Sequence, residues 1–72
     1  MNIDLSQYID LDSFGIYPTV IVSPQGDGFI VLMEWDGHEK SQYINKIIYD
    51  DVALLQDALI AMFYDLHSVL VS

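Results

Sequence analysis

No cysteine and no arginine occur in the 72 residues. The first absence removes disulfides, thiolate nucleophiles and cysteine-based zinc sites. The second leaves Lys40 and Lys46 as the only permanently basic side chains against eleven acids, a formal net charge of −9. Two lysines cannot neutralise a track of phosphates, so direct nucleic-acid binding is not expected. An anionic membrane surface is disfavoured for the same reason. Prolines number two and glycines four, which confines turns to a few places, and no repeat, low-complexity tract or interdomain linker is visible. The opening MNIDLSQYID has neither the basic nor the long apolar region of a secretory signal, and the expected location is cytoplasmic.

What is present points to a folded chain. Hydrophobic residues make up 53% and charged residues 18%, too apolar for disorder. Residues 1–72 read as one small acidic α+β domain. A chain of this size buries only roughly 60% of its unfolded surface, so it depends on dense packing or on association with another chain.

The predicted fold is a three-stranded antiparallel meander sheet packed by a long C-terminal helix, with a short N-terminal helix before it. Leu5, Tyr8, Ile9 and Leu11 can line one side of that short helix, with Asp4 or Ser6 as cap and Gly15 after its end. Tyr17 to Ser23 is β-branched and bounded by Pro18 and Pro24, as suits a strand at an edge. Gln25-Gly26-Asp27-Gly28 is turn chemistry. Phe29 to Trp35 is apolar on both faces, so it belongs inside a sheet or beside a binding surface. Asp36-Gly37 opens a second turn into a strand at 41–49, on which Tyr43 and Tyr49 share a face. Short connections favour the strand order 1-2-3.

A C-terminal helix then begins at Asp50 or Asp51. With Asp50 as cap, Tyr49 and Leu54 occupy the hydrophobic-staple positions. Val52, Leu55, Leu59, Met62, Leu66 and Val69 recur at three- and four-residue spacing as the core stripe. The stretch 52–71 is long enough to span a bilayer. It carries Gln56, Asp57, Asp65 and His67, however, and reads as a soluble helix. Leu54, Ile60, Phe63 and Leu70 surround the stripe, leaving little more than Asp57, Tyr64, Asp65 and Ser68 as a polar strip. Such breadth predicts a second contact, and self-association through Ile60 and Phe63, or through the Ile30/Leu32 sheet face, is the simplest form of it.

Motifs for catalysis or cofactors fail one by one. Gly26-Asp27-Gly28 lacks a third glycine and leads into a strand, where phosphate binding needs a helix N-terminus. His38-Glu39 is followed by Gln42 where a zinc-protease helix needs a second histidine. Asp10, Asp12 and Gly15 match the start of a calcium loop, but Phe14 and Ile21 occupy two of its ligand positions. His38, Glu39 and His67 do not amount to a metal set. No serine has the context of a nucleophile elbow. Neither an enzyme nor a metal or other cofactor is expected.

The acids and aromatics carry the functional reading. Asp50 and Asp57, seven residues apart, would align about 10 Å apart on one helix face, with Asp65 about 12 Å further on. Glu34, Asp36 and Glu39 add charge around the second turn, and Tyr64 lies among the helix acids. A rigid array of carboxylates can occupy a groove built for phosphates, because the groove reads charge spacing. Five tyrosines and one tryptophan suit a protein-binding surface.

In size, acidity and strand-strand-strand-helix order the chain resembles the small proteins that phages and mobile elements use against host defence, anti-CRISPR proteins among them. That resemblance implies a stoichiometric inhibitor that mimics nucleic acid on a basic protein partner. The same element order, with the Gly26-Asp27-Gly28-Phe29 turn, is similar to HicB-type antitoxins, which implies neutralisation of a small basic toxin. Tyr49-Asp50-Asp51-Val52-Ala53 departs from that family's Thr-x-x-Glu-Ala helix start, so no functional residue carries over. A helix, three strands and a helix also resemble a double-stranded-RNA-binding domain, whose function the net charge opposes. A structural homodimer needs only the apolar helix.

Overall fold

The computed structural model describes residues 1–71. Its order is β1 (Asn2–Ile3), β2 (Thr19–Gln25), β3 (Gly28–Trp35), β4 (His38–Asn45), α1 (Lys46–Asp50) and α2 (Val52–Val71). The strands form one antiparallel sheet in the order β1-β2-β3-β4, with α2 packed on one face. The α+β class and the antiparallel sheet agree with the sequence; the strand count does not. The fourth strand is β1, two residues that no periodicity can announce. It is held where the Met1 nitrogen donates to the Val22 carbonyl at 3.0 Å and the Val22 N–H donates to the Met1 carbonyl at 2.7 Å.

No α-helix forms near the N-terminus. Two 3-10 turns, Leu5–Gln7 and Leu11–Ser13, replace it. Local carboxylates explain the change. Asp4 accepts from the Ser6 N–H (3.1 Å) and hydroxyl (2.6 Å), and Asp10 accepts from the Ser13 hydroxyl (2.6 Å). The Asp4 bond satisfies a backbone N–H at the first turn, and both carboxylates hold local side-chain contacts that compete with a continuous helix. Leu5 and Leu11 still reach the core.

Two tight turns set the register. Gly26 (φ 56°) leads a two-residue turn closing on Gln25 and Gly28. Asp36 (φ 51°) and Gly37 (φ 79°) form the second, closing on Trp35 and His38. Positive φ at both central residues is the geometry that matches strand twist, and Asp-Gly supplies it.

Because side chains alternate, Val20, Val22, Val31, Met33 and Ile44 face the helix and are buried with Leu55, Leu59, Met62, Phe63 and Leu66 of α2. The helix stripe differs from expectation at its ends. Val52 and Val69 are exposed and Phe63 takes a central place. The other sheet face carries Ile21 opposite Leu32, and Ile30 opposite Tyr43; Ile21 and Tyr43 are exposed, and among the described residues no helix packs there. The double-sided apolarity of β3 therefore reflects one covered face and one open one.

The last strand ends at Asn45, not Tyr49. The Asn45 carboxamide accepts from the Ile48 N–H at 2.9 Å and so starts α1, overriding the strand preference of Ile47, Ile48 and Tyr49. Asp51 breaks the chain direction with extended backbone (φ −100°, ψ 113°). It caps α2 by accepting from Ala53 N–H at 3.0 Å and Leu54 N–H at 3.1 Å. Asp50 is thus not the cap, and the Tyr49–Leu54 staple does not form. Tyr49 packs on Phe29 instead, ring centroids 4.2 Å apart.

Candidate protein-binding surface

Ten of the eleven acids are exposed and Glu34 is half-buried. One ion pair occurs among the described residues, Lys46 Nζ to Asp50 at 3.7 Å, both side chains in solvent. The other lysine, Lys40, stands opposite Met33 on the helix-facing side of β4. The negative charge therefore goes almost entirely uncompensated within the chain.

Two groups of acids stand out, one on α2 and one around the second turn and the open sheet face. Asp57, Tyr64, Asp65 and Ser68 are exposed on α2, away from the buried stripe. Asp57 and Tyr64 are about 10 Å apart along the axis. Asp50 does not continue this row, because the break at Asp51 separates its helix from theirs. Glu34 and Glu39 lie opposite one another on the open sheet face, with Asp36 in the adjoining turn. Tyr43 and Tyr49 do not share a strand face either, since Tyr49 belongs to α1.

The structure adds residues to the second group that sequence reasoning missed. Asp12 accepts from the Tyr17 hydroxyl at 2.7 Å, and the Tyr17 ring meets Trp35 edge-to-face, centroids 6.4 Å apart. That chain of contacts ties the N-terminal acids to the strand end that carries Glu34 and Asp36. The only sequence hint was the five-residue spacing of Asp12 and Tyr17 across a glycine, which has no helical or strand period. Within the group, Glu34 accepts from the Gly37 N–H at 3.3 Å. Glu34 and Glu39 place like charges directly across a strand pair, which is unfavourable without an outside counter-charge.

The Tyr17 phenol titrates above its ordinary value of 10.0, because its hydrogen bond to Asp12 and then the charges of Asp12 and Asp10 favour the neutral form. The Asp12 contribution to stability is accordingly present below the unfolded-state value and is lost as pH rises through the folded one. Asp12→Asn is expected to return the Tyr17 transition toward 10.0, read as tyrosinate absorbance during alkaline titration. An unchanged Tyr17 transition would mean that the contact is not formed in solution.

The residues proposed for a dimer separate similarly. Phe63 is 0% exposed, edge-to-face with Phe14 at 4.9 Å and stacked on His67 at 6.2 Å, so it has no surface to offer a second copy. Ile60 is half-buried, as are Ile30 and Leu32 on the open sheet face. By length and composition α2 could cross a membrane, while its inward residues form the core described above.

Among the described residues no three His, Asp or Glu side chains converge as a metal site. A hollow of about 350 Å³ beside the first hairpin is lined by Pro24, Gly26, Asp27, Gly28, Phe29 and Lys46. It is open, and beyond one acid and one base it offers no polar side chain to orient a small molecule.

These features define an acidic sheet-and-helix domain with one open sheet face. Comparison with protein-family models, curated proteins and solved structures finds no match.

Proposed function

We propose that the chain is a non-enzymatic, cytoplasmic protein-binding module that inhibits its partner stoichiometrically. It does so by occupying a basic surface on which the partner holds nucleic acid, as anti-defence proteins of the anti-CRISPR kind do. The observation that supports this reading is the exposure of ten acids with a single ion pair among the described residues. Solubility alone needs less charge than this. Acids fixed by turns and hydrogen bonds meet a phosphate-binding groove without first being ordered. The group around Asp10, Asp12 and Asp36, with Tyr17 and Trp35 at its centre, offers charge and aromatic area together.

The test is capture of a nucleic-acid-handling protein from nuclease-treated host lysate, followed by competition with DNA or RNA for the purified partner. Binding should weaken as salt rises. Asp10→Asn, Asp12→Asn and Asp36→Asn together should weaken it about tenfold or more, since each lost charge contact contributes on the order of 0.5–1 kcal/mol. Asp57→Asn with Asp65→Asn, on α2 and outside this group, should change it less. Affinity indifferent to both salt and the triple substitution refutes the electrostatic reading.

The open apolar face formed by Ile21, Ile30, Leu32 and Tyr43 favours a second reading, an antitoxin or immunity protein that covers a small basic toxin. Its complex would survive high salt, because burial of apolar area would dominate.

A further inference from the structure

The sheet has two edges, and the chain treats them differently. Beyond β2, the outward backbone groups of Val22 are taken by Met1, and the next outward position is Pro24, which has no N–H to offer. Beyond β4 no further strand occurs among the described residues.

The direction of the free groups follows from the turn. A two-residue turn closes on a hydrogen-bonded pair, here Trp35 and His38, and such pairs alternate along an antiparallel ladder. His38, Lys40, Gln42 and Ile44 therefore bond to β3, while Glu39, Ser41 and Tyr43 direct their N–H and C=O groups outward. Pairing with β3 runs unbroken from His38 to Asn45, with no bulge and no proline to spoil the edge. Glu39, Ser41, Gln42 and Tyr43 are all exposed. Along this stretch the open sheet face and the edge are both uncovered among the described residues, while α2 covers the opposite face.

We propose that this edge pairs with the same edge of a second copy, antiparallel about a two-fold axis through Ser41, making one continuous sheet from two chains. In that register no like charges face each other across the seam. Ser41 meets Ser41, Glu39 meets Tyr43, and Lys40 meets Gln42. Slipping the axis by one residue to Lys40 sets two ammonium groups against each other, and slipping it to Glu39 sets two carboxylates against each other. The strand bears one acid and one base, so the paired edges add no net charge between two chains of net charge −9. The pairing also extends the open face, because Tyr43 carries the Ile30–Leu32 strip up to the axis.

Ser41→Pro isolates the claim. It removes an N–H that points away from β3 and leaves the internal ladder intact. Sedimentation of the wild type should give a dimer that tightens as salt rises, opposite to the salt response of the proposed partner complex. The Glu39, Ser41 and Tyr43 amides should be protected from hydrogen exchange. The proline variant should sediment as a monomer with an unchanged circular dichroism spectrum. Should it lose structure, Ser41→Lys carries the test by placing two ammonium groups on the axis. A monomeric wild type, unprotected amides at those three positions, or a persistent dimer in a folded Ser41 variant each overturns the proposal. No partner protein enters these measurements, so they stand apart from the functional reading.

Discussion

Phe63→Ala should lose about 3–5 kcal/mol, the range for truncating a buried aromatic. A domain of this length has about 4–11 kcal/mol in total, so the loss takes a large share of its stability. The loss has three parts. The side chain is 0% exposed, so all of its apolar area returns to water or leaves a cavity. Phe14 loses the ring it meets at 4.9 Å and 72°, which unpins the N-terminal segment from α2. His67 loses its stacking partner at 6.2 Å. Thermal unfolding by circular dichroism should show a melting temperature lowered by roughly 15–30 °C. Truncating its exposed neighbour, as Tyr64→Ala, should matter far less. A Phe63→Ala variant as stable as wild type would mean that α2 is rotated and that Phe63 faces outward after all.

Gly28→Ala should be the most damaging change of a single methyl group in the sheet. A Cβ at this position meets the Ile44 carbonyl oxygen, and it lies 2.7 Å and 2.8 Å from the Tyr43 hydroxyl and ring. Tyr43 can swing away, but the carbonyl is held in the β3–β4 ladder and cannot. Overpacking of this kind costs about 1–3 kcal/mol, and the backbone obstacle places the expected value at the upper end. Urea unfolding of Gly28→Ala, with and without Tyr43→Ala, separates the two causes. The double variant should recover only the ring's part. Full recovery would show that the carbonyl gives way, and that the strand spacing at this end is softer than the structure has it.

Much of the architecture is legible in the residues. Asp36-Gly37 announces a tight turn through its demand for positive φ, and the alternation of Val20 and Val22 gives the inward face of β2. The unread parts have physical reasons. Ile47 to Tyr49 is β-branched and aromatic, so propensity extends the strand; one carboxamide, that of Asn45, reverses the outcome by capping α1. Phe63 was ambiguous because α2 is apolar over too many positions for period alone to choose a centre. Its partner Phe14 comes from a segment distant in sequence. The alignment of Asp50 with Asp57 fails for a related reason. Counting residues along a helix assumed that Asp50 and Asp57 belong to the same one, and the break at Asp51 removes that assumption. The grouping of Asp12, Tyr17 and Trp35 depends on where the chain re-enters β2, which no local pattern encodes.

The meander has a bearing on how the chain acquires its shape. Strand order equals chain order, and β2, β3 and β4 are joined by two-residue turns, so these three can zip from hairpins that close with little loop entropy. The exception is β1, separated from β2 by residues 4–18. It comes before β2 in the chain, yet it has nothing to pair with until β2 is in place beside β3. The N-terminal acids and Tyr17 are therefore set in place late, after the hairpins have fixed Trp35. The surface proposed for recognition is completed only by a chain whose sheet has already formed.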